Sequence, residues 1–81
     1  MTLDELKKEY EVKADKLYNE GLEASKRAER YEGYANLYSL EDEGHKTSLA
    51  MAMSEAKKAE ELFKTATIYV KVVNDLLKVT K

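Results

Sequence analysis

At 81 residues the chain can form one thin domain, and chains this short bury only about 60% of the surface they expose when unfolded. It has no cysteine and one histidine, which excludes disulfides, thiolate-bound zinc and a histidine-built metal centre within one subunit, leaving self-association to complete a core. Its 14 basic and 16 acidic residues are well mixed and sum to a net charge of −2, which fits neither the basic stripe of a nucleic-acid binder nor the strong acidity of a nucleic-acid mimic.

With no proline, three glycines and 37% charged residues, the composition is that of long helices. The first begins at a capping box, Thr2-Leu3-Asp4-Glu5. Thr2 can accept from the N–H three residues on, and Glu5 can reach back. Met1 and Leu6 occupy the two positions of a hydrophobic staple, and Asp4 and Glu5 suit the positive end of the helix dipole. From there Tyr10, Ala14, Leu17, Gly21, Ala24, Ala28, Tyr31, Ala35 and Tyr38 recur at alternating spacings of three and four, a seam that faces one partner helix. The helix is expected to run over about residues 3–41. Asp4–Lys8, Glu9–Lys13 and Glu23–Arg27 are spaced to pair along its solvated face. Gly21 lies on the seam, where another backbone could approach closely; Gly33 lies off it, with no packing reason in the pattern.

The seam would next meet Asp42 and His45, with Gly44 between them, so a turn is expected at about 42–46. Gly44 could supply the left-handed conformation that ends a helix, and Thr47 or Ser48 could cap the next. Folding back there sets Tyr38 against Leu49, Ala28 against Ala59, Ala24 against Phe63 and Leu17 against Val70. The alternation also runs unbroken through the turn, so one long helix, or three helices broken near Gly21 or Gly33, are the rival arrangements.

The second helix is expected over about 47–80, with a seam of Leu49, Ala52, Ala56, Ala59, Phe63, Ala66, Val70, Val73 and Leu77. Beyond Leu62 it is apolar round most of its circumference, while Lys57, Lys64, Lys71 and Lys78 keep one stripe wet. A helix apolar nearly all round is buried on several sides, more than one hairpin partner can cover. A lone hairpin should bury Phe63, Val70 and Leu77 and leave the neighbouring row, Leu62, Tyr69 and Leu76, in water with Ile68 and Val72. Those five are the expected dimer interface. The fold class is therefore all-α, a long antiparallel helical hairpin of coiled-coil type in a single domain, dimerising into a four-helix bundle.

Candidate chemistry is sparse. Asp42, Glu41 and Glu43 beside His45 place an Asp-x-x-His in the expected turn, where a solvated loop explains it better than a metal. No nucleophile elbow, phosphate loop or dinucleotide fingerprint is present, so no catalytic residue, cofactor or metal is assigned. Tyr34, Leu37, Tyr38, Leu40, Met51 and Met53 would form an amphipathic tip suited to a half-wet contact with another protein. The function expected is a non-enzymatic interaction module: a small adaptor, assembly subunit or inhibitor, acting as a homodimer. A membrane surface, met by the lysine-striped second helix, is the less favoured partner. The acidic start lacks a signal-peptide core and no run approaches the roughly 18 apolar residues of a span, which points to a soluble cytoplasmic protein.

Tyr31-Glu32-Gly33 resembles the Trp-x-Gly tripeptide of the WXG100 family of small secreted two-helix proteins. The resemblance implies a secreted helical hairpin. The family's tripeptide lies in the turn between its helices, whereas this one precedes the expected turn by about ten residues, and the chain has no tryptophan.

Overall fold

The computed structural model describes residues 2–79. They form two α-helices, α1 (Leu3–Ala35) and α2 (Glu43–Val79), joined by residues 36–42 and packed side by side as an antiparallel hairpin. The rod measures 59 × 15 × 14 Å. Its radius of gyration is 18.1 Å, where a compact chain of this length would have about 12 Å.

α1 starts as its capping residues dictate. Thr2 is extended, its hydroxyl accepts from the N–H of Glu5 at 3.1 Å, and its carbonyl accepts from the N–H of Leu6 at 3.0 Å. Met1, one half of the expected staple, lies outside the described residues. Of the expected ion pairs along α1, Glu9–Lys13 forms at 3.3 Å. Arg27 turns away from Glu23 and crosses to Glu55 of α2, its Nε donating to the carboxylate at 3.0 Å.

The seam of α1 is the one its spacing predicts. Ala14, Gly21, Ala28 and Ala35 are buried at intervals of seven, with Ala24 between them. In α2 the buried residues are Ala52, Ala59, Ala66 and Val73, again seven apart. Every one of these is small. Among the described residues no large side chain is fully buried, so the two helices meet through close backbone approach rather than through a layer of interlocked leucines.

The turn comes earlier than expected. α1 ends at Ala35, and α2 is already helical at Glu43, so residues 42–46 hold the start of a helix rather than a turn. Gly44 has no positive φ, and Thr47 and Ser48 lie inside the helix, so none of the three plays the expected capping part. Asn36 caps α1 with its N–H on the Glu32 carbonyl, and the next two amides tighten onto the carbonyls of Tyr34 and Ala35. Asp42 opens α2. Its carbonyl accepts from the N–H of His45, and its carboxylate accepts from the N–H of Ser39 at 3.3 Å. Gly44 matters for a different reason: the Tyr38 ring lies on it, and a Cβ there would meet the ring at 2.8 Å.

Moving the turn shifts the register by about six residues. Tyr10 meets Tyr69, Tyr18 meets Phe63, Arg27 meets Glu55 and Ala35 meets His45. Leu17 is therefore not opposite Val70. α2 is also rotated relative to expectation. Leu62, Tyr69 and Leu76 are half-buried, whereas Val70 and Leu77 are exposed. The two rows lie side by side and both are apolar, so spacing alone does not choose between them. The stack of Tyr10 on Tyr69, with ring centroids 5.5 Å apart, and the Arg27–Glu55 pair hold the row containing Glu55, Leu62 and Tyr69 toward α1.

Candidate interaction surfaces

Tyr18 of α1 and Phe63 of α2 lean together across one long face of the rod, their ring centroids 5.4 Å apart. The Phe63 ring also covers Gly21, where a Cβ would come within 2.6 Å of it. It is this ring, rather than another backbone, that occupies the space glycine leaves. Between the two helices here runs a shallow groove of about 450 Å³, floored by Ala14 and Ala66 and walled by Asp15, Tyr18, Phe63, Thr67 and Val70. It continues past Glu11 and Val73. Tyr18 is 53% and Val70 48% exposed, and Leu22 stands one turn above Tyr18 on the same side.

The opposite long face mixes charge with half-buried rings. Arg27 and Glu55 bridge the helices there, and the Lys13 ammonium lies 5.5 Å from the centre of the Tyr10 ring. Of the five residues expected at a dimer interface, Leu62, Tyr69, Val72 and Leu76 are half-buried within the hairpin itself, and Ile68 is 61% exposed. The groove face, made partly of Tyr18 and Val70, was missed in the sequence. The signal was present in Tyr18 and Leu22, four apart on a charged helix, but their place opposite Phe63 depends on a register that pattern alone does not fix.

The expected tip is divided by the early turn. Leu37 and Leu40 project from the connection at 80% and 78% exposure, with Tyr38 between them and Tyr34 in the last turn of α1 packed edge-on against Tyr31. Met51 and Met53 are exposed but lie about two turns into α2. Being two residues apart they look out from different sides of it. Tyr31-Glu32-Gly33 lies within the final turns of α1 rather than in the connection.

His45 is neither in a loop nor among metal ligands. It sits in the first turn of α2, part-buried, and its Nδ1–H donates to the carbonyl of Ala35 at 2.8 Å. That carbonyl is among those a helix end leaves without an intrahelical partner, and an imidazole at the negative end of the helix dipole is well placed to take it. Among the described residues no three His, Cys, Asp or Glu side chains converge as a metal site, and no helix is long and apolar enough to cross a membrane. No family model, curated protein or solved structure matches this chain.

Proposed function

We propose that this chain is a non-enzymatic protein–protein interaction module that works as a homo-oligomeric helical bundle, an adaptor, assembly subunit or inhibitor whose surfaces are its product. The observation that carries this reading is the mismatch between core and surface. Among the described residues the hairpin buries only alanines, a glycine and one valine, while its aromatic and branched side chains stay half or wholly in contact with water. Each such side chain offers about 1.5–3 kcal/mol on full burial, so the favourable apolar transfer still to be gained lies outside the hairpin.

Thermal melts at protein concentrations a hundredfold apart test it. An associating bundle melts higher at the higher concentration, because mass action favours the species that binds itself. A melting temperature independent of concentration would contradict the reading. The exposed turn, with Leu37 and Leu40, is the surface proposed for a different protein. Leu37→Ser with Leu40→Ser should leave the melt and its concentration dependence unchanged.

A second reading has its own support. Ile68 and Val79 are well exposed on α2, a helix that carries Lys64, Lys71 and Lys78 in one line, an arrangement suited to an anionic lipid surface. Co-sedimentation with anionic liposomes separates the two. Binding that survives in the self-associated state favours the membrane surface.

A further inference from the structure

We propose that the groove face receives a second copy of this chain, turned about a twofold axis that runs along the rod, so that α1 of each copy lies across α2 of the other. This deepens the association proposed above and rests on it. The groove has unlike edges. On the α1 side Glu11 and Asp15 line it beside Val70. On the α2 side Phe63 and Thr67 are shared with an adjoining depression that contains Glu60 and Lys64, and Lys71 follows one heptad on. From Asp15 down to Glu11 the order across the face is therefore carboxylates, apolar strip, lysines, with Glu60 lying one turn above Lys64 on the α2 edge.

Two copies can meet face to face about a twofold axis lying in the face in two ways. An axis across the rod sets α1 on α1, which brings carboxylate edge to carboxylate edge and lysine edge to lysine edge. An axis along the rod sets α1 on α2 and brings each carboxylate edge to a lysine edge. Charge selects the second. Heights along the rod agree with this choice, because rotation about a lengthwise axis leaves them unchanged. Tyr18 already stands level with Phe63 in the hairpin, so Asp15 of one copy arrives beside Lys64 of the other, and Glu11 near Lys71. Tyr18 then covers Phe63 of the second copy, and Leu22, one turn above it, comes level with Glu60. Lys8 breaks the acidic edge beyond Glu11, which confines the charge match to the inner stretch of the groove. Lys64 pairs with Glu60 at 3.3 Å in an ion pair largely open to water, which holds it weakly. A standard interface buries roughly 800 Å² per partner, and a rod 59 Å long and 15 Å wide has a long face of that order.

Sedimentation equilibrium of two variants and their mixture tests the arrangement. Glu11→Lys with Asp15→Lys makes both edges basic; Lys64→Glu with Lys71→Glu makes both acidic. Each alone should weaken dimerisation at least tenfold at low salt, with circular dichroism confirming retained helix, and the equimolar mixture should form a heterodimer. A wild-type dimer matched by both variants, or a mixture that stays monomeric, overturns the arrangement while leaving self-association standing. A monomeric wild type overturns both and gives the groove to another protein. A second measurement does not depend on the charge variants. Leu22→Cys with Glu60→Cys should yield a covalent dimer on oxidation, and a chain that remains monomeric on a non-reducing gel while the wild type dimerises contradicts the crossing of α1 over α2.

Discussion

Two glycines in α1 make opposite demands. At Gly33 a Cβ would meet nothing within 4 Å, so alanine there gains helix propensity at no packing cost. Gly33→Ala should stabilise the chain by about 1 kcal/mol. At Gly21 the same gain is opposed by the Phe63 ring, which a Cβ would strike at 2.6 Å. The ring must move outward, and overpacking of this kind costs about 1–3 kcal/mol. Gly21→Ala should therefore lower stability in a urea titration, where Gly33→Ala raises it. His45→Ala removes one donor from the Ala35 carbonyl, leaving the Tyr38 N–H, and should cost about 1 kcal/mol, the net worth of one such hydrogen bond. These roles were only partly legible. Gly21 stood out because it interrupts a seam, but its partner is a side chain supplied by the other helix. His45 stood out as the single imidazole among carboxylates, and that company suggested a loop or a metal rather than a helix end ten residues away.

At the scale of the elements, α1 could be read almost whole, from the Thr2 cap to the buried row ending at Ala35, because the seam is narrow and the outer face charged. The turn could not. Gly44 and Asp42 invited a break at 42–46, yet the chain turns on Asn36, Ser39 and Asp42, three polar turn-formers spaced three apart, without any left-handed residue among those described. α2 was half legible. Its buried row of Ala52, Ala59, Ala66 and Val73 was in the predicted seam, but two neighbouring apolar rows offered equal periodicity, and contacts across the hairpin decided between them. The observed register gives a direct check. Cysteines replacing Ala14 and Ala66, which share the floor of one groove, should close an intramolecular disulfide on oxidation, whereas cysteines at Leu17 and Val70 should not. The opposite result would restore a turn near Gly44. Breaking Arg27–Glu55, the ion pair joining the helices among the described residues, with Glu55→Gln should cost about 1 kcal/mol at low salt and less at high salt, read by the same urea titration.

For the whole molecule, the decisive property is a rod with small residues at its centre and large ones at its surface. Two helices packed through alanine approach closely and leave their bulky neighbours pointing outward on both sides. Phe63 and Tyr18 do touch within one hairpin, and Tyr69 finds Tyr10, but neither pair is enclosed. Covering them takes a further layer of helix, which is the physical content of the proposal that the functional unit is an assembly. Leu62, Tyr69 and Leu76 changed together to Gln should lower the melting temperature even of dilute protein, since these side chains already serve the hairpin. The most direct measurement of the central claim is sedimentation equilibrium of the wild-type chain at micromolar concentration. The account predicts a helical particle of twice the 9.3 kDa chain mass that dissociates on dilution; a fully helical particle of 9.3 kDa at every concentration would contradict it.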